Sequence, residues 1–121
     1  KIVEKIAPNL KRGELNLQLG KQSWRAKVTL DVIMRVETAL DKGIVEVITL
    51  LSEGKMTTTQ LCEVLLPVVR AGGNDIKMPD IRKAVWDAGL APTMSAVGEI
   101  LSTALSSGDD EVGNDEVVEA D

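Results

Sequence analysis

The sequence predicts a mainly helical α+β domain, in which one N-terminal β-hairpin precedes about five short helices and a disordered acidic C-terminal tail. Apolar and polar residues alternate through residues 14–28, which is the two-residue period of a half-buried strand. From Thr29 onward the apolar residues move to spacings of three and four, the period of an amphipathic helix. Since 44% of the 121 residues are apolar, the chain is long enough to bury one core.

The hairpin is expected to join a strand over residues 14–19 to a strand over residues 22–28. Gly20 and Lys21 form its turn, and a glycine at the first central position favours type II′. Three leucines alternate along the first strand and form the face that we expect to be buried: Leu15, Leu17 and Leu19. Because an isolated hairpin is only marginally stable in water, it should pack on the helices or pair with another chain.

Start and stop signals divide the rest of the chain into five helices. In chain order they are the cap residue Thr29, the stop at Gly43, the stop at Gly54, the capping box of Thr57 with Gln60, the break at Gly72-Gly73, Pro79 in a first turn, the stop at Gly89 and Pro92 at the start of the last helix. Pro67 lies inside the third helix, where it removes one backbone donor. The helical period predicts that Leu30, Met94 and Leu105 face the core.

Three segments are predicted: a flexible leader over residues 1–12, a single hairpin-plus-helices domain over residues 13–107, and an acidic tail over residues 108–121. The tail holds seven acidic residues, no basic residue and few apolar ones, and this composition is typical of disorder. An alternative for the leader is an arm that orders against a neighbouring subunit. The simplest interpretation of the tail is that it only increases solubility.

The composition argues against catalysis. The chain contains no histidine, which is the commonest general base and the commonest metal ligand. It contains no Cys-x-x-Cys, no phosphate-binding loop and no dinucleotide-binding fingerprint. Cys62 stands in an apolar helical run and is expected to be a small buried side chain rather than a reactive thiol. We therefore expect no enzymatic activity, no catalytic residue, no cofactor, no metal site and no small-molecule substrate.

Protein partners fit the sequence better than other partners do. The net charge of −5 and the near absence of aromatic residues argue against nucleic acid, and no apolar run is long enough to span a membrane. The outer edge of a hairpin suits strand addition by another chain, and tryptophan is frequent at interfaces. The candidate interface residues are Leu15, Leu17, Leu19, Trp24 and Trp86. Packing within the chain is the alternative role for both tryptophans.

A series of short motifs carries a family resemblance. They are Arg12-Gly13-Glu14 before the alternating stretch, Trp24-Arg25 after the turn, Thr29-Leu30 at the start of the helix that bears Glu37, and the glycines Gly43, Gly54, Gly72 and Gly73. In this order and spacing, the chain from residue 8 to residue 107 resembles the small tail-morphogenesis proteins of siphophages and gene transfer agents, which are often labelled tail tube proteins. The aromatic–arginine pair of this pattern adds Arg25 to the candidate interface.

The resemblance implies a role in building a phage or prophage tail. A tail tube subunit generally resembles a β-sandwich with many strands, whereas this chain offers two. A helical tail protein of this size looks more like a tail assembly chaperone. Such a chaperone would form homo-oligomers in the host cytoplasm and bind the tape measure protein, the tail tube protein or both. The alternatives are a structural tail tube subunit of the virion tail and a cytoplasmic protein-binding adaptor that uses the acidic tail.

Overall fold

A computed structural model describes the backbone of residues 13–120 and the side chains of residues 13–106. The elements are β1 (Glu14–Leu19), β2 (Gln22–Lys27), α1 (Leu30–Leu40), α2 (Ile44–Ser52), α3 (Thr58–Ala71), α4 (Met78–Ala88) and α5 (Leu90–Ala120). This order confirms the predicted class of one hairpin followed by five helices. The predicted leader over residues 1–12 lies outside the described residues.

The hairpin has the predicted strands and turn. β1 and β2 pair antiparallel, with Leu19 opposite Gln22 and Leu17 opposite Trp24. Gly20 has a φ of +62°, while Lys21 keeps a negative φ, and this combination belongs to a type II′ turn. A Cβ atom at Gly20 would also lie 3.1 Å from the Cβ atom of Ala88, so the turn sits against the end of α4.

The predicted helix caps are present. The Oγ1 atom of Thr29 accepts a hydrogen bond from the amide of Val32 at 3.1 Å, which satisfies one of the unpaired donors at the start of α1. At the start of α3, Thr57 and Gln60 exchange side-chain-to-backbone hydrogen bonds of 2.9 and 3.1 Å and form a capping box. Asp41 ends α1 in the left-handed region with a φ of 56°.

Helix α3 is the centre of the fold, because it packs against β2, α1, α4 and α5. It buries six side chains, which cover a face of the helix wider than a single stripe: Leu61, Cys62, Val64, Leu65, Val68 and Val69. Leu17 and Leu19 of the hairpin are each only 1% exposed and belong to the same core. The hairpin is therefore stabilised by packing on helices, which supplies what two isolated strands lack.

The loop after α3 is pressed against β2. A Cβ atom at Gly72 would overlap the carbonyl oxygen of Arg25, so only a glycine fits at this contact. Two residues later, the Nδ2 atom of Asn74 donates to the carbonyl oxygens of Arg25 at 2.7 Å and of Val69 at 2.9 Å. The loop that begins at Gly72-Gly73 therefore both ends α3 and holds α3 against the hairpin.

Three side chains predicted to face the core are exposed: Leu30, Met94 and Leu105. Leu30 is 72% exposed because α1 buries the face of Val32 and Val36, and Leu30 lies about 120° around the helix from Val36. Met94 and Leu105 lie towards the two ends of the packed stretch of α5, whose buried residues run from Thr93 to Leu101. The helical period predicts which face of a helix a side chain lies on, but the side chain is buried only if another element packs against that part of the helix.

The backbone of α5 continues as a helix to Ala120, whereas the sequence predicts disorder from residue 108. No proline follows Pro92, so nothing in the backbone prevents the hydrogen-bond ladder from continuing into the acidic segment. Disorder of residues 108–121 in solution stays a prediction. None of the helices among the described residues combines the length and the apolar character that crossing a bilayer requires.

Candidate functional site

The three hairpin leucines of the candidate interface lie inside the chain's own core. Leu15, Leu17 and Leu19 are buried, and they share one face of the sheet with Ala26 and Val28. Their side chains do not reach a surface that a partner could contact. What the hairpin presents to the outside is its polar face and the outer edge of β1.

Arg25 lies on the exposed face of β2. Its Nη1 atom is 3.6 Å from the Oε1 atom of Glu14, so the two side chains form an ion pair across the hairpin. Its carbonyl oxygen points away from β1 and accepts the hydrogen bond from Asn74. The guanidinium is exposed, whereas the backbone at the same position is closed off by the loop after α3.

Trp24 is half-buried and lines a groove of about 520 Å³ between β2 and α4. Four charged side chains line the same groove: Asp75, Asp80, Lys83 and Asp87. Lys83 pairs with Asp87 at 3.1 Å, and the Oδ2 atom of Asp80 accepts from the amide of Lys77, which caps α4. The groove therefore combines an indole wall with a net acidic rim, and part of that acidity serves the helix cap.

Trp86 is 85% exposed on α4 and does not line this groove, so the structure does not bring the two tryptophans together. Leu90 and Met94 follow it at intervals of four residues and are also exposed. We refer to Trp86, Leu90 and Met94 as the α4–α5 apolar set. Large exposed apolar side chains are typical of contact surfaces where they form one contiguous patch, and here Gly89 separates the helix of Trp86 from the helix of Leu90 and Met94.

A second groove of about 510 Å³ separates α1 from α3. Its apolar lining residues are Val32, Ala39, Leu66, Pro67, Ala71 and Met78, and its charged lining residues are Asp31, Arg35, Glu63 and Arg70. The Nε atom of Arg35 donates to Asp31 at 2.8 Å, and this hydrogen bond raises the pKa of the Arg35 guanidinium. We call this the α1–α3 groove; its apolar floor and charged rim match one side of an amphipathic helix.

Cys62 is the single cysteine of the sequence, and it lies within α3. Cys62 is buried, as predicted, and burial raises the pKa of its thiol, with the charge of Glu63 acting in the same direction and that of Arg82 opposing it. A thiol held protonated in this way is a poor nucleophile. Within residues 13–106, no three potential ligands among cysteine, aspartate and glutamate are grouped to hold a metal ion.

Both grooves and the attachment at Asn74 were missed by sequence reasoning. The grooves arise where helices from distant parts of the chain diverge, and no local pattern encodes that separation. The signal for Asn74 was available, since an asparagine after a glycine break commonly bonds nearby backbone groups. Its bond to Arg25 links residues 49 positions apart and could not be predicted from spacing.

A family model described as phage tail tube protein, GTA-gp10, matches residues 12–107. The matched segment begins next to Gly13 and covers the hairpin, the four shorter helices and the packed part of α5. No curated protein and no solved structure matches the chain. The family match therefore rests on the same part of the chain that forms the core and both grooves.

Proposed function

From the membership of this chain in the family of phage tail tube protein, GTA-gp10, we propose that it is a tail assembly chaperone that binds the tape measure protein. The family itself establishes a role in the structure or morphogenesis of a phage tail. Under this proposal the chain is a binding protein and not an enzyme. It takes no cofactor and acts in the host cytoplasm before the tube polymerises.

The observation that carries the proposal is the architecture. The described residues contain one sheet of two strands, and the remaining elements are helices. A tube wall built from β-sandwich subunits needs several strands from each subunit, which this domain does not supply. A helical body instead supports a protein that works by binding other helices.

The α1–α3 groove is the surface that we assign to the client. Its apolar floor, which includes Leu66, Pro67 and Met78, would cover the apolar stripe of an amphipathic helix. Two acidic and two basic side chains line the groove, so a client helix could pair charges of either sign with them. A very long helical protein such as a tape measure protein presents many segments of this kind.

Co-expression with the tape measure protein tests the proposal. The wild-type chain should keep that protein in the soluble fraction, and Ala39→Arg should abolish the effect because it fills the α1–α3 groove. Thr38→Arg is the matched control, since Thr38 is exposed on the same helix but does not line this groove. Failure of the wild-type chain to solubilise the tape measure protein, or equal effects of the two variants, would contradict the proposal.

A structural tail tube subunit is the second candidate, and the name of the family, phage tail tube protein, favours it. That function predicts that the purified chain assembles without a client into rings or tubes visible by negative-stain electron microscopy. Tubes formed by the chain alone would replace the chaperone proposal with this one.

A further inference from the structure

The pattern of hydrogen bonds between β1 and β2 determines which backbone groups of each strand point away from the other strand. The register places Gly13 opposite Val28, and the amide of Val28 donates to the carbonyl oxygen of Gly13 at 2.8 Å. In an antiparallel pair, hydrogen-bonded and non-bonded pairs alternate. Leu15, Leu17 and Leu19 therefore bond to β2, and the N–H and C=O groups of Asn16 and Gln18 point away from it.

These four outward groups have no hydrogen-bond partner among the described residues. Asn16 and Gln18 are themselves exposed, so their backbone lies at an accessible edge. The outer edge of β2 is different, because the carbonyl oxygen of Arg25 is bonded to Asn74 and touched by Gly72. Within the described part of the chain, the edge of β2 is thus covered at its middle residue, Arg25, whereas the edge of β1 is open.

The open edge lacks the features that usually prevent strand addition. Natural edge strands are protected by lysine, proline, inward-pointing charges or bulges. Residues 15–19 contain no charged residue and no proline, and β1 pairs with β2 without a bulge. The exposed side chains of this stretch, Asn16 and Gln18, are neutral and hydrogen-bonding.

We propose that β1 pairs antiparallel with β1 of a second copy of this chain, about a two-fold axis at Leu17. This register places Asn16 opposite Gln18 of the second copy and satisfies all eight outward groups with four hydrogen bonds. The same register places Glu14 opposite Gly20 of the second copy, so no like charges face one another. The two hairpins then form one continuous four-stranded sheet with isologous symmetry.

The open edge of β1 fits the β1 strand of a second copy of this chain. The surface is self-complementary, because the residue that must lie opposite Asn16 is one that the same strand already carries. Three-stranded and larger sheets are also more stable than isolated pairs of strands. Pairing through β1 does not involve the α1–α3 groove. An experiment that contradicts the chaperone proposal therefore leaves the proposed dimer untouched, and the reverse also holds.

Two double variants of the full-length chain test the register. Asn16→Lys with Gln18→Glu places opposite charges across the axis twice, whereas Asn16→Lys with Gln18→Lys places like charges there. Both variants carry the same lysine beside Arg25 and replace the amide of Gln18 that donates to Gly20, so they differ only in the charge at position 18. The effect of that charge within one chain is present in monomer and dimer alike and largely cancels in the dissociation constant. Both positions are exposed, and circular dichroism should show that both variants keep the fold.

Sedimentation equilibrium should give a dimer whose dissociation constant falls roughly two- to thirty-fold for the Lys/Glu variant and rises by a similar factor for the Lys/Lys variant. Hydrogen exchange should show protection of the Asn16 and Gln18 amides that grows with protein concentration. Equal dissociation constants for the two variants, or a chain that stays monomeric, would overturn the proposal. Protection that is independent of concentration would overturn it too, because residues 1–12 of the same chain would then occupy the edge.

Discussion

At the scale of single residues, glycines in this chain are required for two different physical reasons. Gly20 needs its positive φ of +62° to form the hairpin turn. Gly72 has an ordinary negative φ, yet a side chain there would collide with the backbone of β2. Backbone preference alone would not reveal the second requirement, which belongs to the tertiary contact.

Gly72→Ala is expected to lower the free energy of unfolding by about 1–3 kcal/mol, because the loop after α3 must move away from Arg25. Chemical denaturation measures the change. Gly98→Ala is the matched control: Gly98 lies within α5 with only an ordinary contact 3.7 Å away, and alanine there should raise the free energy of unfolding by about 0.5–1 kcal/mol. Effects of the same sign at both positions would contradict the close contact at Gly72.

The buried thiol of Cys62 predicts a dependence of stability on pH. Burial raises the pKa of the Cys62 thiol above its ordinary value, so the thiol of the folded state stays protonated at a pH where that of the unfolded state ionises. The unfolded state then binds fewer protons, and stability falls as the pH rises through about 9. The wild-type chain should lose more stability than Cys62→Ala between pH 7.5 and pH 10. Parallel losses in urea denaturation across this range would show that the folded thiol ionises normally.

At the scale of elements, most boundaries could be predicted because they depend on local chemistry. The Thr29 cap, the Thr57–Gln60 capping box and the Gly20 turn each act over about four residues, and all three are present. Burial could be predicted less well, since the exposure of Leu30 and Leu105 depends on which neighbours lie beside them. The two grooves could not be predicted at all, because they are spaces between elements that are distant in the chain.

Asn74 connects two elements, so its replacement tests how α3 is held on the hairpin. Asn74→Asp removes both donated hydrogen bonds and places a carboxylate against the carbonyl oxygens of Arg25 and Val69. It should lower the free energy of unfolding by about 2–3 kcal/mol, and Asn74→Ala should cost less because it adds no repulsion. A thermal or chemical melt in which Asn74→Ala is the more damaging variant would contradict this account.

At the scale of the whole molecule, the acidic segment of residues 108–121 differs in composition from the part of the chain that forms the described core. The last residue that packs against it is Ala104, on α5. The distribution of charge follows the same division, because the seven acidic residues of 108–121 have no basic residue among them. We therefore expect the stability of the fold and the net negative charge to depend on different parts of the chain.

Deleting residues 108–121 should change the free energy of unfolding by less than about 0.5 kcal/mol, because the composition of this acidic segment predicts that it is disordered. Denaturation of the full-length and shortened chains side by side measures this change.

The same two chains distinguish a chaperone from an adaptor that binds through the acidic tail. If the protein is a chaperone, the shortened chain should still keep the tape measure protein soluble. Loss of that effect at unchanged stability would assign partner binding to the tail.

The contact of Gly72 and Asn74 with β2 has a consequence for stoichiometry. Strand addition can propagate into a fibril only when a sheet offers an acceptor on both sides. Here the chain's own loop covers the other edge at Arg25, so the pairing that we propose through β1 would end at two copies. The residues that fasten α3 to the hairpin would therefore also limit growth, and weakening them would expose a second acceptor edge and turn a dimerising protein into one prone to aggregate.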